Sequence, residues 1–199
     1  MQLFRSDPDA NMLPCNGEAY DHGPLFGVVE CDRILRLLMN GIPWRHDESV
    51  MFGKRIVTAR KVAWFADGGI SYSYSGTVKP AHEWMNLLLE LKGLVEALTG
   101  AEYNSCLLNL YHHGGEGMGW HSDDENSIAA DSSIASLSFG AERKFSFRHK
   151  VSKETVSTIL RNGGLLDMRG DTQRHWQHQL PKTKKVSEPR VNLTFRRMG

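Results

Sequence analysis

The sequence predicts an α+β chain whose core is a double-sheet β architecture of the eight-stranded jelly-roll kind, braced by two N-terminal helices. Three observations predict it. Apolar residues recur at helical spacing only within the first hundred residues. After Gly100 the chain breaks into short segments of strand period, separated by turn residues. No helices alternate with those segments, as a parallel sheet would require.

The elements follow in order. Residues 1 to 27 are rich in Gly, Pro, Asp and Asn and read as a loosely ordered lead-in, with residues 28–199 as a single domain. From Glu30 to Met39, Ile34, Leu35, Leu37 and Leu38 recur at helical spacing, and Gly41 with Pro43 ends the pattern. A second helix is predicted from about Glu83 to Leu98, its buried stripe being Trp84, Leu87, Leu88, Leu91, Val95 and Leu98, with Gly100 as its stop. Between the helices, the aromatics of Arg60 to Tyr74 are split by Asp67-Gly68-Gly69, a hairpin pattern. Strands are then predicted at Cys106–Tyr111, Ile134–Phe139, Lys144–Arg148, Val156–Leu160, Leu165–Met168, Trp176–Leu180 and Val191–Phe195, and no internal repeat is visible.

The 199 residues suit one domain with a real core. A net charge of +1 excludes a polybasic tail protein and neither favours nor opposes a nucleic-acid partner. Cys15, Cys31 and Cys106 lack the paired spacing of a zinc ribbon or a disulfide framework, which points to a reduced, intracellular setting in cytoplasm or nucleus. The first residues carry no apolar signal run and no later stretch is long and apolar enough to span a bilayer, so a soluble monomer without membrane contact is expected.

The residues that carry chemistry lie in the C-terminal half. His121-Ser122-Asp123 puts an imidazole and a carboxylate on one face of an extended segment, because residues i and i+2 project together. Alone the pattern is common. A second imidazole completes the two-histidine, one-carboxylate set that holds iron(II) and leaves the opposite side open. His112, His113, His149, His175 and His178 are the candidates; His178 is preferred because Trp176, His178 and Leu180 share an inward strand face just before the last strand. In that strand, Pro189 to Arg196, Val191, Leu193 and Phe195 alternate with Arg190, Asn192, Thr194 and Arg196. Two arginines aimed into one cavity expect an anion, and a carboxylate held bidentately suits guanidinium. Asn109 and Tyr111 share a strand face and offer further hydrogen bonds. Together these suggest an iron(II)- and 2-oxoglutarate-dependent dioxygenase. Two basic clusters, Arg143, Lys144, Arg148, His149 and Lys150, and then Lys182, Lys184 and Lys185, flank the proposed site and suit phosphates.

Asn109-Leu110-Tyr111, His121 to Glu125, Ile134 to Gly140, Phe147 to Lys150, His175 to Pro181 and Pro189 to Arg196 together resemble the AlkB family of iron(II)- and 2-oxoglutarate-dependent nucleic-acid dealkylases, and most of all its DNA-repairing branch. The resemblance runs from about Phe26 to the end. It implies a double-stranded β-helix with a core at about 104–197 and a nucleotide-recognition lid at about 55–80. It implies iron at His121, Asp123 and His178, with O2 and 2-oxoglutarate as co-substrates. Arg190, helped by Tyr111 and Asn192, would take the distal carboxylate of 2-oxoglutarate, and Asn109 and Arg196 its metal-side end. Glu125 would sit near the exocyclic edge of the target base, while Tyr72 and Tyr74 would stack on it. The implied reaction is demethylation of bases such as 1-methyladenine and 3-methylcytosine in alkylated DNA, with RNA as a second polynucleotide. The segment Ala59 to Asp67 departs from the Pro-Arg and Tyr-Gly-Asp of that branch, which bears on substrate range. An oxygenase acting on RNA or protein, and a noncatalytic nucleic-acid binding module, are the competing readings.

Overall fold

The computed structural model describes residues 7–51, 54–68, 70, 72–74, 77–79 and 81–199, with the backbone alone for 48–51, 54–56, 72–74 and 77–79. In chain order the elements are β1 (Glu18–Pro24), α1 (Val28–Gly41), β2 (Arg45–Met51), β3 (Lys54–Ala66), β4 (Tyr72–Tyr74), β5 (Thr77–Lys79) and α2 (Asn86–Thr99). They continue with β6 (Ser105–Tyr111), β7 (Met118–His121), β8 (Ile134–Gly140), β9 (Arg143–His149), β10 (Thr155–Leu160), β11 (Gly164–Arg169), α3 (Thr172–His175), β12 (Trp176–Leu180) and β13 (Arg190–Arg196). A seven-stranded sheet runs β1-β11-β8-β13-β6-β3-β2 and a four-stranded sheet runs β10-β9-β12-β7. Their strands pair antiparallel throughout the registered ladders. This is the double-sheet jelly-roll architecture that the short, turn-separated strands predict.

Two apolar layers hold it. On one face of the large sheet, Val191, Leu193 and Phe195 of β13 join Leu108 and Leu110 of β6 and Leu137 and Phe139 of β8. They pack under Ile34 and Leu38 of α1 and Leu88, Leu91 and Val95 of α2, so the helices brace the sheet as their periodicity predicts. Each such leucine or isoleucine buried in full contributes about 2 kcal/mol. The second layer lies between the sheets, where Phe145, Phe147, Trp176 and Leu180 meet Ile134, Leu166 and Met168. One end of that inter-sheet space is filled by this layer, and the other end is open and polar.

Three expectations are corrected. Residues 18–24, assigned to the loosely ordered lead-in, form β1 and pair with β11 at the edge of the large sheet. Ahead of it Leu13 is buried, and Ala19 within it is fully so. Nearby, Trp176 Nε1 donates to the Cys15 carbonyl at 3.0 Å. An edge strand is held by backbone hydrogen bonds, which leave no apolar period to read. The second helix begins at Asn86 rather than Glu83, and Leu98 is exposed rather than on the buried stripe. Its expected first turn is held extended because His82 N donates to the Trp64 carbonyl at 2.9 Å and Trp84 Nε1 to Asp67 Oδ1 at 2.7 Å. Among the described residues the strands on either side of Asp67-Gly68-Gly69 do not pair as the expected hairpin: β3 is flanked by β2 and β6, and β4 pairs with β5. His121 lies on the paired strand β7. No helix among the described residues is long and apolar enough to cross a membrane.

Removing the chain up to Pro24 would strip β11 of one of its two partners and uncover the pocket filled by Leu13. The expected result is a fall in Tm of about 5–10 °C, from roughly 2–4 °C per kcal/mol at this size, with self-association through the bared β11 edge. Thermal melts and gel filtration of the shortened chain check this, and an unchanged Tm would show that β1 is dispensable.

Candidate metal and co-substrate site

A cleft of about 940 Å³ opens between the sheets and on toward β2 and β3. Its floor is the polar face of the large sheet. Cross-strand register stacks this face in rows: Tyr111 of β6 beside Arg190 of β13, Asn109 beside Asn192, and Thr194 beside Ser136 of β8. Because β13 alternates at period two, the residues whose neighbours enter the helix-side core all turn toward the cleft. The opposite wall is the small sheet, where β12 and β7 place His178 directly across from His121.

At that wall the ligand atoms of His121, Asp123 and His178 lie within 4.8 Å of one another. His121 Nε2 stands 3.7 Å from Asp123 Oδ1, and the two imidazole rings are 4.2 Å apart, centre to centre. The hydrogen bonds around them orient each donor. His121 Nδ1 donates to the Gly119 carbonyl at 2.8 Å, which leaves the Nε2 lone pair directed at the triad. Asp123 Oδ2 accepts from Arg196 Nη2 at 2.7 Å, leaving Oδ1 toward His121. The Asp123 backbone N–H donates to Gln173 Oε1 at 2.9 Å, so α3 fixes the loop that follows β7. Burial acts to raise the Asp123 carboxyl, but the neighbouring Arg196 and the two imidazoles outweigh it and hold the group well below the usual carboxylate range. Burial likewise pushes the His178 imidazole down to about 3, only partly offset by Asp123, so the ring is neutral, the form that binds a metal. Phe145 stacks on it at 5.4 Å. Two imidazoles and one ionised carboxylate on one side of an open cleft fit an iron(II) ion.

At the other end of β13, Arg190 is 2% exposed, and burial pushes its guanidinium down to about 10, with Tyr111 opposing and Arg143 adding to the effect. It remains a cation at neutral pH. It donates to Asn192 Oδ1 at 2.5 Å and Ser138 Oγ at 2.8 Å, and lies 5.5 Å from the centre of the Tyr111 ring. All of these partners are neutral. Among the described residues it has no acidic partner, and its Nε is buried without a hydrogen bond. Leaving a buried charge without a counter-ion costs several kcal/mol, and an anion entering the cleft removes that cost. A dicarboxylate reaching from this cation to the triad fits the donors present. Ser136 Oγ at 2.9 Å and Ser138 Oγ at 3.3 Å donate to Asn192 Oδ1, while Asn192 Nδ2 donates to Thr194 Oγ1 at 2.9 Å. This network fixes the amide beside the arginine.

The structure therefore gathers His121, Asp123, His178, Asn109, Tyr111, Arg190, Asn192, Arg196 and Glu125 around one cleft. The side chains of Tyr72 and Tyr74 lie outside the described residues. The other candidate imidazoles have partners elsewhere. His112 Nδ1 pairs with Glu116 at 3.0 Å, His113 Nδ1 accepts from Gly115 N, and His149 stacks on His175 at 6.2 Å. The first basic cluster is corrected: Arg143 and His149 are buried, and Arg148 stacks 4.3 Å over Trp120. Sequence reasoning missed Ser136 and Ser138, which the period-two pattern of β8 offered. It also missed the buried Arg60–Asp47 pair at 2.5 Å and Trp64 and His82 on the cleft wall, for which no local signal exists.

Comparison with known proteins agrees with this geometry. Residues 28–196 match the family model of the 2OG-Fe(II) oxygenase superfamily. The mouse DNA oxidative demethylase ALKBH2 is 39% identical over 96% of this chain and 84% of its own length. The human protein of that name is 39% identical over 87% of this chain and 71% of its own. The human alpha-ketoglutarate-dependent dioxygenase alkB homolog 3 is 41% identical over 85% of this chain and 62% of its own. The solved structure of OsALKBH1 shares the fold, with a TM-score of 0.56 over 85% of this chain and 91% of that one, at 17% identity. The chain is an iron(II)- and 2-oxoglutarate-dependent dioxygenase of the 2OG-Fe(II) oxygenase superfamily, and within it a member of the AlkB family.

Proposed function

We propose that the chain removes N-linked methyl groups from damaged nucleobases in DNA by oxidation, with RNA as a second substrate. The observation that carries this reading is the buried, acid-free Arg190 sharing one cleft with the His121, Asp123 and His178 triad. The names of the mouse and human ALKBH2 relatives supply the substrate class.

Each residue has a part. His121, Asp123 and His178 would hold iron(II), with Arg196 keeping one Asp123 oxygen occupied so that the other is the ligand. Arg190 would bind the distal carboxylate of 2-oxoglutarate, with Tyr111 and the Asn192 amide shaping its seat and Asn109 and Arg196 meeting the metal-side end. Iron(II) when bound supplies the oxidising step, in which O2 and 2-oxoglutarate give succinate, CO2 and a hydroxylated N-methyl group. The resulting N-hydroxymethyl group then collapses: its O–H proton is lost, the C–N electron pair returns to the ring nitrogen, and formaldehyde leaves. Glu125, on the cleft wall, would meet the exocyclic edge of the base, and Tyr72 and Tyr74 would stack on it. A methylated base pairs poorly, so extruding it costs less than extruding a normal one. Lys182, Lys184 and Lys185 follow β12 and would contact phosphates.

Anaerobic loading with iron(II) and 2-oxoglutarate, followed by O2 and a methylated oligonucleotide, tests the reading. Stoichiometric succinate and formaldehyde are expected; succinate without formaldehyde would move the substrate elsewhere, and neither product would favour a noncatalytic binder. Asp123→Ala should lower turnover more than about 100-fold, since loss of partners outside the ligand shell already costs 10–100-fold; retained formaldehyde release would remove the triad from the reaction. Arg190→Met should raise KM for 2-oxoglutarate about 10–100-fold, from about 1.5–3 kcal/mol per charged hydrogen bond, with a smaller effect on kcat. Charge reversal at Lys184 and Lys185 should weaken oligonucleotide binding and lessen its log–log salt slope by about one unit per residue. An unaltered slope in a salt titration would free those lysines of any phosphate contact.

A further inference from the structure

The two imidazoles of the triad come from different strands, and the ladder that brings them together is short. Strands β7 and β12 are registered through His121↔His178 and Met118↔Leu180, with an irregularity between the pairs. Such a ladder cannot fix its own register firmly, since a slip turns side chains to the other face. Something beyond the ligands must hold these strands in place.

Arg143, at the start of β9, meets that need. It was expected on a basic surface, yet it is 2% exposed and among the largest fully buried side chains. Its Nη2 donates to the carbonyls of Glu116 at 2.9 Å, Gly114 at 3.3 Å and Pro181 at 2.8 Å. Gly114 and Glu116 lie in the turn leading into β7, and Pro181 is the residue after β12. One guanidinium nitrogen thus bridges the entry of one ligand strand and the exit of the other. The glycines of the turn permit the approach. A Cβ on Gly117 would run into the Leu180 carbonyl, and one on Gly114 would stand 2.5 Å from the Thr183 carbonyl and 2.9 Å from that of Val186. Backbone bonds lock the same contact, Gly114 N to the Val186 carbonyl and Thr183 N to the Gly114 carbonyl, each at 2.8 Å. Arg143 does not line the cleft, so it touches neither metal nor substrate.

We propose that Arg143 is a positioning residue for the metal site: it clamps the turn before β7 to the end of β12 and so sets the pairing that places His121 opposite His178. This rests on the assignment of those histidines as ligands. Its consequence is that a residue outside the cleft governs metal affinity, through strand register rather than charge.

The test is Co(II) titration of the full chain in place of iron, followed by visible absorption, with circular dichroism and Tm as folding controls. Arg143→Met should bind Co(II) about tenfold more weakly, at the low end of the range for supports outside the ligand shell, with altered band intensities. Arg143→Lys should recover part of the affinity, and Lys144→Met, whose side chain is exposed beside it, none of the defect. Should Arg143→Met fail to fold, Gly117→Ala decides, because it parts the same strands without touching a charge and must also weaken Co(II). A folded Arg143→Met, or failing that a folded Gly117→Ala, with wild-type affinity and spectrum overturns the proposal. Asp123→Ala separates the two readings. If it binds Co(II) normally the triad assignment itself is wrong, whereas its loss beside an unaffected Arg143→Met removes only the clamp.

Discussion

The structure depends on the two-sidedness of β13. This strand lies in the middle of the seven-stranded sheet and is buried along its whole length, so neither face meets bulk water. Period two then forces a division: Val191, Leu193 and Phe195 supply apolar surface to the helices, and Arg190, Asn192, Thr194 and Arg196 must satisfy their polarity inside the cleft. The helix-side core stabilises the sheet, and the sheet in turn holds charged groups where isolated burial would be prohibitive. The two arginines resolve that burial differently. Arg196 pairs with Asp123, whereas Arg190 has neutral partners. The first arrangement fixes a carboxylate, and the second leaves room for one from outside.

The small sheet carries the complementary constraint. It contributes both imidazoles through one cross-strand pair, backed by Phe145 and Phe147. A central strand such as β13 has partners on both sides, but among the described residues β7 lies at the edge of its sheet and is paired only with β12. Its position is set by the turn before it and the loop after it, through Arg143 at one end and Gln173 with the Asp123 backbone at the other. Rigidity at the metal site is therefore supplied from outside the ladder that bears the ligands.

Particular residues show how far the chain could be read without coordinates. The helices and the seven predicted strands were legible because each carries its own period, and β13 was legible in function too, since arginine at both ends of an alternating strand is informative by type as well as spacing. The triad was legible in two steps: His121 and Asp123 are near neighbours, whereas the choice of His178 among five histidines rested on its inward strand face just before β13 and not on spacing from the other two. β1 and β2 were not legible, because Glu18 to Pro24 and Arg45 to Met51 hold their places through backbone bonds to other strands. Arg143 was misread for a related reason. Its sequence neighbours are charged, and only the approach of two distant loops shows that its guanidinium is enclosed.

The sequence by itself determined the class of fold, the alternation that divides core from cleft, and the kinds of side chain offered to a metal and an anion. These are local properties, fixed by periodicity and residue chemistry within a few positions. Tertiary structure alone decided which histidine faces which, that β3 pairs with β2 and β6, and that one buried cation bonds backbone carbonyls while another bonds neutral side chains on the cleft floor. Those choices depend on pairings between residues far apart in the chain, as between His121 and His178 or between β3 and β6. Such contacts leave no trace in local pattern, because the backbone groups and carbonyls that make them are the same at every residue.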